Sequence, residues 1–154
     1  MESAVSAAAI RFLESRDIPT ILRIQASSRE AAQWLQPAYE SVGRNGEQAW
    51  VAEHEGPVVG FLIAHAVAGE IEILNLAVDP NVRHKGIGRA LLWEALSWAA
   101  QNGASRVFLE VRSSNAAARQ FYQAHGFASS GLRRSYYRNP VEDALLLSRS
   151  LVHA

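Results

Sequence analysis

Hydrophobic positions along the chain follow two different periods. Two-residue alternation is clearest over residues 70–78, where Ile71, Ile73, Asn75 and Ala77 fall on one face, which is the pattern of a strand. A three-to-four-residue period over residues 87–101 predicts a helix instead. The same reasoning predicts further strands at residues 10–13, 48–53, 58–67 and 106–112, and a closing hairpin formed by residues 127 onward and 144–151 around residues 138–140.

Capping and helix-breaking residues divide the remaining sequence into helices. Asp17 is a good N-cap for a first helix that runs to about Ala26, and Ser28 is predicted to cap a second that contains residues 31–35 and breaks near Pro37. Asn115 supplies a cap for a last helix over residues 116–124. The order of strands and helices predicts a single mixed α/β domain over residues 1–154.

The segment between the alternating strand and the long helix carries the first chemical signal. Asp79-Pro80 stops the strand, and Gly86 and Gly88 stand at the start of the helix, where unpaired N–H groups point outward. Three cations add positive charge: Arg83, Lys85 and Arg89. This combination predicts a phosphate or pyrophosphate site, although a helix that merely begins at a glycine turn is the simpler alternative. Neither the P-loop pattern nor a complete G-x-G-x-x-G pattern occurs.

Composition narrows the function without identifying it. The chain has 154 residues, of which 49% are hydrophobic, and its 15 basic residues balance its 15 acidic ones, so global charge favours neither nucleic acid nor a membrane surface. It contains no cysteine, which excludes disulfides, thiolate metal sites and a cysteine nucleophile and is compatible with a cytoplasmic location. The five histidines lack ligand spacing, so no metal is expected. No signal peptide or membrane-spanning segment is predicted.

Two titratable residues near the next strand form the second chemical signal. Glu110 lies in an otherwise apolar strand, where desolvation is expected to raise its pKa towards that of a general base. Tyr122, one helix later, is a candidate proton donor. Glu110 as a buried partner of Arg106 or Arg112, and Tyr122 as a core aromatic, are the alternatives.

These motifs together resemble the GNAT acyltransferase superfamily. The R-x-x-G-x-G segment is similar to its acetyl-CoA pyrophosphate loop, and E-V-R-x-x-N followed by A-A-x-x-F-Y and G-F is similar to its second half. The stretch from N-L-A-V-D-P to Q-A-H-G-F most resembles the bacterial RimI type, the ribosomal-protein N-terminal-alanine acetyltransferases. The R-R-x-Y-Y and E-D-A segments near the end also match that type.

The resemblance implies a GNAT fold, with a mixed, mostly antiparallel central sheet flanked by helices, and acetyl-CoA as co-substrate. Glu110 would act as the base and Tyr122 as the acid. The residues implied to bind the cofactor are Leu76, Ala77 and Val78 at the pantetheine arm, Arg83, His84, Lys85, Gly86, Ile87, Gly88 and Arg89 at the pyrophosphate, and Asn115 near the thiol. The first two helices and the final hairpin would flank the acceptor.

The acceptor implied by the resemblance is a protein N-terminus, such as that of a ribosomal protein with a small first residue. The sequence departs from the RimI pattern on the acceptor side, because residues 26–30 lack the apolar-Pro-Trp stretch and the closing turn at residues 137–142 is short. A small amine or a lysine side chain therefore remains an alternative acceptor, as does a non-catalytic acetyl-CoA-binding module. No direct nucleic-acid or membrane partner is expected.

Overall fold

The computed structural model describes residues 8–28, 31–44, 46–83 and 85–151. The strands in these residues are β1 (Ala9–Phe12), β2 (Glu47–Glu53), β3 (Val58–Val67), β4 (Glu70–Val78), β5 (Arg106–Arg112), β6 (Ala128–Tyr137) and β7 (Glu142–Ser150). The α-helices are α1 (Ile18–Ala26), α2 (Gln36–Glu40), α3 (Ile87–Gln101) and α4 (Ala116–Ala124), and short 3-10 helices precede α1 and follow β4. None of the described helices is long and apolar enough to cross a membrane.

The strands form one sheet in the order β1-β2-β3-β4-β5-β7-β6. The pairs β1–β2, β2–β3, β5–β7 and β6–β7 are antiparallel, whereas β4 runs parallel to β5 with Ile71 opposite Val107 and Glu72 opposite Phe108. This arrangement confirms the predicted mixed, mostly antiparallel sheet flanked by helices. The parallel pair follows from the chain path, because α3 lies between the two strands and returns the chain in the same direction.

The chain divides into two compact units, Met1–Ala66 with Ile73–Trp98 and Val67–Glu72 with Ala99–Ala154. In the first unit, α1, α2 and strands β2 to β4 bury a shared apolar cluster: Ile18, Ile21, Ile24, Tyr39, Ala49, Val51, Phe61, Ile63 and Ala77. Gly60 lets α3 approach the sheet closely, since a Cβ there would lie 3.1 Å from the Ala77 carbonyl oxygen and 3.2 Å from Leu91 Cδ1. The N-terminal half of α3 therefore packs directly on β3 at Gly60.

The second unit contains β5, β7, β6 and α4. Alternate residues of β5 are buried, namely Val107, Leu109 and Val111, and Ala144 and Leu147 of β7 are also buried. Tyr122 of α4 packs against Phe127, with ring centroids 5.3 Å apart. The partly exposed positions in between are occupied by Arg106, Phe108, Glu110 and Arg112.

The predicted second helix is wrong over residues 31–35. These residues are not helical, and α2 begins only at Gln36, with Pro37 in its first turn. Proline is tolerated at this position because the first N–H groups of a helix have no partner within the helix. Two side-chain amides bind the backbone of residues 31–35 and replace helical hydrogen bonds: Asn75 bonds to Ala32 and Gln25 to Trp34.

Asp17 occupies the predicted cap position but its side chain does not cap α1. Its carboxylate accepts two hydrogen bonds from Arg11, each 2.8 Å long, and one of 2.8 Å from the Glu14 amide. Arg11 also donates to Glu53 at 3.0 Å. The carboxylate therefore joins the start of α1 to the edge of the sheet.

Candidate active site

The end of β4 forms the first part of the site. Ala77 is buried, whereas Leu76 and Val78 are partly exposed on the other face, as the alternation predicts. Beyond Val78 the chain turns sharply, and the Asp79 carboxylate accepts a hydrogen bond of 2.9 Å from the Asn81 amide. Pro80 begins a short 3-10 helix, so the strand ends where the sequence indicates.

Gly86 marks the entrance to α3. Its φ of +79° lies in the left-handed region, and among the described residues other than its chain neighbours no atom lies within 4 Å of the place where a Cβ would be. The Gly86 carbonyl oxygen accepts a hydrogen bond of 3.0 Å from the Ala90 amide, which closes the first turn of the helix. The helix start is therefore open to a ligand, and its unpaired N–H groups suit a phosphate anion.

The other predicted loop residues have different surroundings. Ile87 is buried beneath the helix start, Gly88 lies in the first turn of α3, and Lys85 and Arg89 are exposed on either side. Positive side chains beside a helix N-terminus attract an anionic group such as a phosphate. His84 lies outside the described residues.

Arg83 is directed back towards the end of β4. Its Nε lies 3.4 Å from the Val78 carbonyl oxygen, and a terminal guanidinium nitrogen lies 3.4 Å from the Ser28 hydroxyl. Arg83 therefore links three parts of the first unit: the loop, the end of β4 and the segment that follows α1.

Glu110 is in the second unit, on the partly exposed face of β5. Its side chain is 12% exposed, and Oε2 lies 2.6 Å from Nε of Arg133 on β6. This contact is an ion pair rather than an aligned hydrogen bond, because Oε2 has no hydrogen-bond partner within the described residues. The two partners considered from the sequence are wrong, since Arg106 bonds to Glu70 and Arg112 to Glu142.

Two tyrosines of β6 lie close enough to Glu110 to respond to its charge. The Glu110 carboxylate raises the pKa of the Tyr136 hydroxyl. Burial, followed by the charge of Glu110, raises the pKa of Tyr137 to about 12. Both effects favour the protonated hydroxyl beside a carboxylate. A carboxylate, a guanidinium and two phenols thus form one polar surface.

Tyr122 is buried in α4, with 6% of its surface exposed. Burial raises the pKa of its hydroxyl above the ordinary value, so the group stays protonated throughout the neutral range. Among the described residues no hydrogen bond to this hydroxyl is found, and burial alone accounts for its raised pKa. A protonated phenol in these surroundings is suited to donate a proton to a bound group.

Asn115 caps α4, as the sequence predicts. Its Oδ1 accepts a hydrogen bond of 3.1 Å from the Ala118 amide. The same side chain retains its amide donor, which makes no hydrogen bond to the described residues. Asn115 therefore combines a structural role with a donor that is available to a ligand.

Arg112 is a residue to which the sequence analysis gave no role in the site. Its guanidinium stacks on the Tyr137 ring at 4.5 Å and donates to the carbonyl oxygens of Arg138 and Pro140, each at 3.2 Å. Glu142 accepts a hydrogen bond of 2.6 Å from the Ser114 backbone amide. The hydrogen bonds with Ser114 hold the pKa of the Glu142 carboxyl below its usual range. These contacts fasten the hairpin to the end of β5. In the sequence, the R-R-x-Y-Y and E-D-A segments of this hairpin indicated that it belongs to the site, but they did not indicate Arg112.

The described residues contain no cluster of three histidine or acidic side chains that could hold a metal ion. Residues 8–127 match the model of the acetyltransferase (GNAT) family. The chain belongs to this family. It is therefore an N-acetyltransferase that takes its acetyl group from acetyl-CoA.

Individual GNAT proteins are similar over nearly the whole chain. The [ribosomal protein bS18]-alanine N-acetyltransferase of Escherichia coli K12 is 32% identical over 141 residues, which cover 90% of this chain and 95% of that protein. The crystal structure of the Escherichia coli ribosomal-protein-S18-alanine N-acetyltransferase superimposes with a TM-score of 0.84, 30% identity and 96% coverage of each chain. Ard1 from Thermoplasma volcanium superimposes with a TM-score of 0.87 and 29% identity, covering 96% of this chain and 99% of that one.

Proposed function

We propose that this GNAT enzyme acetylates the N-terminal α-amine of a ribosomal protein whose first residue is alanine or another small residue. The observation that carries the proposal is the 32% identity to a bS18-alanine N-acetyltransferase over 90% of the chain. We further propose that the two compact units work as one acetyltransferase domain, because the family model spans residues of both. A ribosomal acceptor implies that the enzyme works in the cytoplasm.

The donor side of the proposed site consists of residues of the first unit and of Asn115. Acetyl-CoA, when bound, supplies an activated acetyl thioester. Backbone groups of β4 would hold its pantetheine arm, the loop its pyrophosphate, and the Asn115 amide its thiol end. The residues proposed for these roles are Leu76, Ala77, Val78, Arg83, His84, Lys85, Gly86, Ile87, Gly88, Arg89 and Asn115. The open space around Gly86 and the exposed Lys85 and Arg89 support this assignment.

The second unit supplies the proposed acid and base. Glu110 accepts a proton from the acceptor ammonium, through a water molecule, so that the neutral amine nitrogen forms a bond to the acetyl carbon. As the carbon–sulfur bond breaks, the Tyr122 hydroxyl transfers its proton to the sulfur, which leaves as the thiol. The proton that the new amide nitrogen still has to lose passes through water to the Tyr122 phenolate and restores the hydroxyl. The nearly buried carboxylate of Glu110 and the buried, protonated hydroxyl of Tyr122 support these roles.

The ordinary pKa values of amines favour an N-terminus over a lysine as acceptor. A free α-amine has a pKa near ~8 and a lysine amine near ~10.4, so deprotonating the α-amine costs about 3.4 kcal/mol less at neutral pH. A single glutamate acting through water is therefore better matched to an α-amine. Arg133 also supports a cationic acceptor, since it shows that the Glu110 carboxylate accommodates a positive group at 2.6 Å.

The experiment is a competition among acceptors, read by mass spectrometry of the acetylated products. The purified enzyme receives acetyl-CoA and equal amounts of a peptide with a free N-terminal alanine, the same peptide with a blocked N-terminus and an internal lysine, and a polyamine. Acetylation of the free N-terminus is the expected result. Modification of only the lysine or the polyamine would overturn the proposal in favour of a side-chain or small-amine acceptor.

A further inference from the structure

Two buried side-chain amides hold the irregular segment of residues 31–35. Asn75 of β4 accepts a hydrogen bond of 3.2 Å from the Ala32 amide and donates one of 2.9 Å to the Ala32 carbonyl oxygen. Gln25 of α1 binds Trp34 through the same pair of hydrogen bonds. It accepts one of 3.3 Å from the Trp34 amide and donates one of 2.5 Å to the Trp34 carbonyl oxygen. Each amide therefore binds the segment as a neighbouring strand would, through one N–H and one C=O.

Tyr39 joins the two amides into one network. Its hydroxyl donates a hydrogen bond to Oε1 of Gln25 and accepts one of 3.4 Å from Nδ2 of Asn75. Asn75, Gln25 and Tyr39 are 5%, 4% and 1% exposed, so they exchange few hydrogen bonds with water. Hydrogen bonds among buried groups fix direction as well as distance, and losing one partner leaves the other unsatisfied. Residues 31–35 are therefore ordered without being a helix or strand.

This segment lies against the donor side of the site. Asn75 immediately precedes Leu76 on β4, and Ser28, just before the segment, receives the guanidinium of Arg83 from the pyrophosphate loop. An acceptor amine must reach the thioester at this end of β4. The segment offers it an exposed surface, since Leu35 is 77% exposed and Ala32 and Gln33 are exposed as well.

We propose that Asn75 is a positioning residue for the acceptor. Its buried amide holds residues 31–35 in the conformation that receives the acceptor chain. Gln25 has the same effect through its hydrogen bonds to the Trp34 backbone. The inference rests on the proposed function, because it takes the amine acceptor to pass this segment. Asn75 does not touch the reacting atoms, so its loss is expected to alter acceptor KM rather than kcat or acetyl-CoA binding.

The test compares near-isosteric variants without the amide. Asn75→Leu removes the hydrogen bonds to Ala32, and Gln25→Met removes those to Trp34. For each folded variant we expect acceptor KM to rise at least about tenfold, with kcat and the acetyl-CoA Kd within about threefold of wild type. The second variant keeps the test valid if the first does not fold. Hydrogen exchange supplies a readout without turnover: the Ala32 amide should exchange faster in Asn75→Leu, and the Trp34 amide in Gln25→Met.

Tyr39→Phe is the matched control. It removes a hydroxyl from the same buried network but leaves the hydrogen bonds from Asn75 to Ala32 and from Gln25 to Trp34 in place. Its acceptor KM should stay within about threefold of wild type. A folded Asn75→Leu protein with normal acceptor KM would overturn the inference, as would an equal loss of acetyl-CoA affinity. If wild type acetylates no free N-terminus, the proposed function fails by itself. KM for the amine that wild type does acetylate, together with hydrogen exchange, then decides the inference.

Discussion

The carboxylate of Glu110 and the guanidinium of Arg133 form an ion pair with 2.6 Å between Oε2 and Nε. The two side chains differ greatly in exposure, at 12% for Glu110 and 64% for Arg133, so the cation lies on the solvent side of the carboxylate. Water competes for the exposed guanidinium, so Arg133 is easier to displace than a buried cation would be. An acceptor ammonium group, in the proposed reaction, would take the place of Arg133 beside the carboxylate.

This relationship separates a catalytic Glu110 from a merely structural one. Glu110→Gln retains the shape but cannot accept a proton, so we expect kcat to fall by roughly 10²–10⁴-fold. Arg133→Gln breaks the same ion pair yet leaves the carboxylate, and its kcat should remain within about tenfold of wild type. Steady-state kinetics and melting temperatures of the two variants test this. Equal losses in both would mean that the ion pair, and not proton transfer, is what Glu110 provides.

Tyr122→Phe tests the proton donor. It removes only the hydroxyl, which has no hydrogen-bond partner within the described residues, so the melting temperature should be unchanged or slightly higher. We expect kcat to fall roughly 10²-fold and the acetyl-CoA Kd to change by less than about tenfold. Because burial raises the pKa of Tyr122, ionisation of this group should not reduce the rate at moderately alkaline pH. Near-normal turnover of the folded variant would mean that Tyr122 is a core packing residue and not the proton donor.

The left-handed glycines before and after α3 give a matched pair for testing the pyrophosphate loop. The methyl group added in Gly86→Ala or Gly103→Ala meets no atom of the described residues beyond the chain neighbours. Backbone strain is similar in both variants, since φ is +79° at one position and +75° at the other. Both should lose about 1 kcal/mol of stability. Only Gly86→Ala should weaken acetyl-CoA binding, and Gly88→Glu should weaken it further by adding a repelling charge. Calorimetry showing wild-type affinity in folded Gly88→Glu would contradict the loop assignment.

The buried hydroxyl of Tyr39 makes stability depend on alkaline pH. Burial raises its pKa to about 12, whereas the unfolded chain releases this proton near ~10. The folded state therefore favours the protonated form, and this stability is complete below about pH 10 and is lost as pH rises to about 12. The loss from Tyr39 amounts to about 2–3 kcal/mol. Urea denaturation of Tyr39→Phe at about pH 9 and about pH 11 should show a smaller decrease than wild type. Identical decreases would contradict the assignment.

The elements on either side of the proposed pyrophosphate loop could be predicted because their sequence signals are local. Left-handed turns at Gly86 and Gly103 mark the beginning and the end of α3, and Asn115 caps α4 with its own side chain. Each signal acts within a few residues, so β4, α3, β5 and α4 have the expected bounds. The family model, which matches residues 8–127, includes all four of these elements.

The segment after α1 could not be predicted because distant residues determine it. Asn75 is 43 residues away from Ala32, yet its amide forms the hydrogen bonds that a helix would have supplied. The alternation of β4 did place Asn75 on the buried face, where an amide needs partners, but it did not indicate which ones. The partner of Glu110 was missed for a similar reason, since Arg133 reaches it only through the packing of a later strand.

Gly60 of β3 has no side chain, and this allows α3, the helix that begins at the proposed pyrophosphate loop, to lie close to the sheet. The nearest atoms to an added Cβ belong to the Ala77 backbone and to the side chains of Leu91 and Ile87, at 3.1 to 3.3 Å. A methyl group would therefore push the first turn of α3 outward by a few tenths of an ångström. In the proposed site, donor affinity would therefore respond to a substitution at Gly60, although Gly60 lies beneath the helix and is not one of the residues proposed to bind the donor.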